Sequence, residues 1–63
     1  MMENLILKYK RVKMGVDEEE IARLAHLTKD SYISIENNTV EPRLSNMVGI
    51  SNVIGATIDE LFD

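Results

Sequence analysis

The sequence predicts an all-α domain. Three observations carry this. No segment alternates apolar and polar residues at period two, as a half-buried strand would. Apolar residues instead recur at helical spacing behind the cap-forming residues Asp17, Thr28 and Thr57. The breaks between these segments fall at Gly15, His26-Leu27, Pro42 and Gly55, residues that stop or redirect a helix.

Taken in order, helix 1 is expected over about residues 3–14, ended by Gly15. Helix 2 begins at Asp17. Asp17-x-x-Glu20 has capping-box form, with an acceptor at the N-cap and a carboxylate at N3 that reaches back. Ile21, Ala22 and Ala25 then form its apolar stripe. Helix 3 opens at Thr28 and turns Tyr32 and Ile35 inward. Asn37 to Pro42 is a loop in which Asn38 can take the left-handed conformation. Helix 4 runs over about 44–54, with Leu44, Met47, Ile50, Val53 and Ile54 facing the core, and Gly55 stops it. Thr57-x-x-Glu60 is a second capping box. It opens a short helix 5 carrying Ile58, Leu61 and Phe62.

Composition narrows the function. Sixty-three residues suit one small domain over 1–63, without a separate effector or dimerisation domain. There is no Cys and one His, so neither a disulfide nor a zinc site is expected. Leu5-Ile6-Leu7 is the longest clearly apolar run, far below the roughly 20 residues that span a bilayer. No signal peptide is apparent, so a soluble cytoplasmic protein is expected. No Ser or Thr is arranged with a His and a carboxylate, no Gly-rich phosphate loop follows a strand, and the clustered carboxylates sit at a helix start in open solvent. We expect no enzyme and no cofactor. The net charge is −4, and the positive residues are Lys8, Lys10, Arg11, Lys13, Arg23, Lys29 and Arg43.

Helices 2 and 3, joined by a short turn, make a helix-turn-helix unit, whose second helix can lie in a DNA major groove. The surrounding residues extend the likeness. Arg11-x-x-x-Gly15-Val16, Glu19-Glu20-Ile21-Ala22, Leu27-Thr28, Ile35-Glu36-Asn37, Pro42 and the closing segment from Ile54 to Phe62 occur in order at compatible spacing. Over nearly its full length the chain resembles the lambda-repressor-like, Cro/XRE-type helix-turn-helix family. The resemblance implies a compact five-helix fold and a sequence-specific DNA-binding transcriptional regulator. Arg11 and Glu36 resemble a semi-buried ion pair tying helix 1 to the end of helix 3, with Arg11 also within reach of a phosphate. Glu18 stands at the position of a phosphate clamp that is usually Gln. Lys29, Asp30, Ser31 and Ser34 fall where the family's recognition helix, here about 28–37, meets base edges. Asn37, Asn38 and Thr39 fall where the next loop grips the backbone. The implied partner is double-stranded DNA. A homodimer on a pseudopalindrome, joined through helix 5 and the preceding loop, follows by the same analogy.

The sequence also departs from that pattern. His26 replaces a turn Gly, which is tolerable in a left-handed conformation. It reads as an exposed turn residue, with a pH-switch or ligand role as the alternative. Asp17 and Glu18 put carboxylates where a helix N-terminus would attract phosphate. They read either as a well-capped, solvated helix start or as a surface that repels DNA. The loop Asn38-Thr39-Val40-Glu41 lacks the usual basic residues. Leu24, Ile33 and Val40 are either scattered surface residues or a protein-contact patch. The helix 1 lysines are either a solvated face or, through Lys10 and Arg11, the flank of a phosphate. The alternative reading of the whole is a protein-binding, antirepressor-like module without DNA function. Its surface would be the acidic strip Asp17, Glu18, Asp30 and Glu41 beside Ile33 and Val40.

Overall fold

The computed structural model describes residues 2–63. Five α-helices follow one another: α1 (Leu5–Met14), α2 (Glu18–Leu24), α3 (Lys29–Glu36), α4 (Leu44–Ile54) and α5 (Ile58–Phe62). The described residues contain no strand.

The helix starts are set by side chains that accept a backbone N–H otherwise left orphaned. Asn4 accepts from the Leu7 amide, Asp17 from Glu20, Thr28 from Ser31 and Thr57 from Glu60. Helix 1 therefore begins at Leu5 and not at residue 3, because Asn4 is its cap. Asn4 does more than cap. Its amide N–H donates to the Glu36 carbonyl at 2.7 Å, and its Nδ2 donates to the Leu61 carbonyl at 2.7 Å, clamping α1 to the ends of α3 and α5. The Thr57–Glu60 capping box is complete. The Asp17–Glu20 box is only half formed. The Glu20 carboxylate turns to Arg23 at 2.7 Å instead of reaching back to the Asp17 amide.

Helix ends rely on left-handed residues. Gly15 and Gly55 have φ of 78°, and His26 and Asn38 adopt φ of 62° and 60°. Beyond His26 the Leu27 amide bonds back to the Ala22 carbonyl at 2.8 Å, and beyond Asn38 the Thr39 amide bonds to Ser34 at 3.0 Å. These are six-to-one closures that satisfy the last carbonyls of α2 and α3. They make the α2–α3 turn and the loop after α3 defined shapes.

The core gathers Leu7, Ile21, Ala22, Ala25, Tyr32, Ile35, Ile50 and Leu61, with Val16, Leu27, Val53, Ile54, Ala56 and Phe62 packed around it. Fully burying a side chain such as Leu7, Ile21 or Ile50 contributes about 1.5–3 kcal/mol. Helices α2 and α4 come close at Gly49, where a Cβ would stand 3.2 Å from the Ala25 carbonyl oxygen. Two expected core residues are displaced. Leu44 is 65% exposed and Met47 is only half-buried. Leu44 lies roughly 120° around the helix from Ile50 at 100° per residue, so it leaves the buried face. Ser51 is buried instead, its hydroxyl donating to the Val48 carbonyl at 3.1 Å.

Candidate nucleic-acid interface

Helix α3 is anchored from beneath by a buried polar network. The Arg11 Nε donates to Glu36 Oε1 at 2.7 Å, its Nη1 to the Val16 carbonyl at 2.8 Å, and its Nη2 to Glu36 Oε2 at 3.5 Å. The Tyr32 hydroxyl donates to the same Glu36 Oε1 at 3.0 Å. Arg11 is 6% and Glu36 4% exposed. The hydrogen bond to Glu36 holds the Arg11 guanidinium above its ordinary pKa. The guanidinium is thus committed to partners inside the domain.

Burial, then the adjacent Glu36, pushes the Tyr32 phenol well above its ordinary value of 10.0. An unfolded Tyr loses its proton near pH 10 and the folded Tyr32 keeps it, so the network's full stability is present below that pH. It declines as the pH rises above about 10. We expect Tyr32→Phe to lower stability by about 1.5 kcal/mol at neutral pH, the low end for a hydrogen bond to a charged group. The variant should also lose part of the alkaline decline. Urea melts at neutral and alkaline pH, compared between the two proteins, check both.

With Tyr32, Ile35 and Glu36 turned inward, α3 presents Lys29, Asp30 and Ser31 to solvent, and Ser34 is half-exposed. Ser31 Oγ accepts from the Thr28 hydroxyl at 2.9 Å, leaving its own proton free to donate. Ile33 is half-buried. The loop residues Asn37, Asn38 and Thr39 are exposed, but two of the side chains are engaged. Asn38 Nδ2 donates to the Met2 carbonyl at 2.8 Å, and the Thr39 hydroxyl to the Ser34 carbonyl at 3.2 Å. The Asn38 side chain therefore ties the N-terminal segment to the loop and keeps its Oδ1 and second Nδ2 proton for another contact. Glu18, at the start of α2, leans toward Arg11 with 3.8 Å between Oε2 and Nη2. A carboxylate has no proton to offer a phosphate, unlike the Gln usual there.

Ion pairing decides which cations are available. Glu3 takes Lys8 at 3.2 Å, Glu60 takes Lys10 at 3.8 Å, Glu36 takes Arg11 and Glu20 takes Arg23 at 2.7 Å. Among the described residues Lys13, Lys29 and Arg43 stand in none of these pairs. Two of the three bracket α3 and its loop, Lys29 as the first residue of α3 and Arg43 as the N-cap of α4. Arg43 was not among the expected contacts. Its signal was its place directly after Pro42, where the chain re-enters a helix. The α4 N-terminus also differs from the other four in having no side-chain cap, so its first amides carry no side-chain acceptor.

The succession of α2, a turn closed on a left-handed residue, and an outward α3 held by its inner face is the helix-turn-helix arrangement. A family model described as helix-turn-helix matches residues 7–61. The chain belongs to the Cro/C1-type helix-turn-helix family. This is a family of DNA-binding regulators and not of enzymes. No curated protein and no solved structure gives a significant match to the chain. Among the described residues no helix is long and apolar enough to cross a membrane.

Proposed function

We propose that this helix-turn-helix domain is a sequence-specific transcriptional regulator that seats α3 in the major groove of double-stranded DNA. One observation carries the reading: of the three cations left out of ion pairs, Lys29 is the exposed first residue of α3 and Arg43 the exposed N-cap of α4, on either side of α3 and its loop along the chain. In this reading Lys29 donates to guanine O6 and N7 or to a neighbouring phosphate. Ser31 and Ser34 supply short hydrogen bonds, and Asp30 disfavours acceptor-rich base edges. Arg43 and the uncapped amides at the start of α4 hold a phosphate. Asn37, Thr39 and the loop backbone fix the register. Glu18 contributes no hydrogen bond to the backbone and keeps non-specific affinity low. Lys10, paired with Glu60, takes no direct part. With few phosphate contacts per domain, useful affinity requires two copies on a two-fold-related site.

A second reading has one observation in its favour. Val40 is 50% and Leu44 65% exposed on either side of the exposed, acidic Glu41 in the chain. Such a surface suits a protein partner, which would displace DNA from α3. Selection of bound duplexes from a random library separates the two. The DNA reading predicts enrichment of a short pseudopalindrome, and loss of that enrichment for Lys29→Ala. The protein reading predicts no enriched duplex and capture of a partner that Ile33→Asp abolishes.

A further inference from the structure

We propose that the outer face of α1 is a homodimer contact, in which two copies of the chain pack α1 against α1 antiparallel about a two-fold axis. On α1, Leu5, Tyr9 and Val12 follow one another at spacings of four and three residues, with Ile6 alongside and Met2 in the extended segment just before the helix. That is the seam spacing of paired helices. The inner face of the same helix is already used, since Leu7 and Arg11 are buried. The seam is not. Met2 is 79%, Leu5 46%, Ile6 54%, Tyr9 72% and Val12 55% exposed. Met2 extends the stripe in a fixed place, because its carbonyl accepts from Asn38 Nδ2.

Area and charge favour a second copy as the occupant. Five large side chains at these exposures leave an apolar patch on the order of 500 Å², at the upper end for a monomer. Two such patches face to face bury about 1,000 Å² in total, the size of a weak, reversible interface. The charges along the face are self-complementary. Asp63 lies with Met2, Leu5 and Ile6 at the N-terminal end of the face, and Lys13, outside the ion pairs given above, lies near its C-terminal end. An antiparallel pair sets each acidic end against the partner's basic end and opposes the two helix dipoles. Helix α5 and the loop before it, the dimer surface expected from the family resemblance, offer no such face. None of the large apolar side chains classed as exposed belongs to residues 55–62, and α5 exposes Asp59 and Glu60. The α1 face shares no residue with α3 or its loop, so this contact stands or falls separately from DNA binding.

Sedimentation equilibrium of the full chain, without DNA and up to millimolar concentration, tests the proposal. The expected result is a monomer–dimer equilibrium that closes at two, weakened at least about tenfold by Tyr9→Glu, a loss of 1.4 kcal/mol or more. The chain has no cysteine, so single-cysteine variants report geometry directly. A mixture of Leu5→Cys and Tyr9→Cys proteins should cross-link to each other faster than either does to itself. This readout holds even where Tyr9→Glu fails to fold. A monomer throughout, open-ended assembly, a dimer that folded Tyr9→Glu leaves intact, or self-linking in preference to mixed linking would each overturn it.

Discussion

Glu36→Ala is expected to unfold most of the population at physiological temperature. The substitution leaves the Arg11 guanidinium, only 6% exposed, with the Val16 carbonyl as its remaining hydrogen-bond partner and the more distant Glu18 carboxylate at 3.8 Å as its only nearby counter-ion among the described residues. Breaking one side of a buried ion pair costs about 3–5 kcal/mol, because an uncompensated charge stays inside. The Tyr32 hydroxyl loses its acceptor in the same step. A domain of this size holds roughly 0.05–0.15 kcal/mol per residue, so the loss approaches its whole stability. A second variant separates charge from packing. Replacing the network together, Arg11→Met with Glu36→Leu and Tyr32→Phe, leaves no stranded charge and should recover much of the loss. Thermal melts followed by circular dichroism measure both. A folded Glu36→Ala domain with a melting temperature near the parent's would remove the network from the account.

The second large effect falls on binding. Lys29→Glu should lower affinity for the selected duplex about a hundredfold, and Lys29→Ala about tenfold. A good base contact is worth about 1–3 kcal/mol, and a lost phosphate contact also releases fewer counterions. Reversal adds repulsion at the groove. The variant is informative because the fold should not suffer. Lys29 is exposed, and an acidic residue in the first turn of a helix is electrostatically favourable there. Fluorescence anisotropy with a labelled duplex, beside a melt of the same sample, reads affinity and stability together. Equal affinity for parent and Lys29→Glu would mean that α3 does not read the DNA.

Much of the fold was legible because it is written in short-range chemistry. Asp17, Thr28 and Thr57 cap the helices they were expected to cap, and Gly15, His26, Asn38 and Gly55 turn the chain with positive φ. What escaped depends on contacts distant in sequence. Asn4 is a cap whose importance comes from Glu36 and Leu61, at the far end of the chain. Leu44 is a local exception: it lies roughly 120° around α4 from Ile50, off the buried face, and so stays exposed. Glu20 is another, a choice between the Asp17 amide and the Arg23 guanidinium, each three residues away. The apolar run at the start of α1 was read only for its length. That one side of it stays exposed depends on where the other four helices lie. The site was half legible for the same reason. The outward residues of α3 follow from helical geometry once Tyr32 and Ile35 are placed inside. The availability of Lys29 and Arg43 follows from which carboxylates claim the other cations, a three-dimensional fact.

Affinity for the selected duplex, followed across salt concentration, tests the central claim most directly. The two cations assigned to DNA, Lys29 and Arg43, predict a log–log slope of about −2 for each protomer engaged, with the selected site bound far more tightly than random duplex. A slope near zero, or equal affinity for selected and random sequences, would contradict the account.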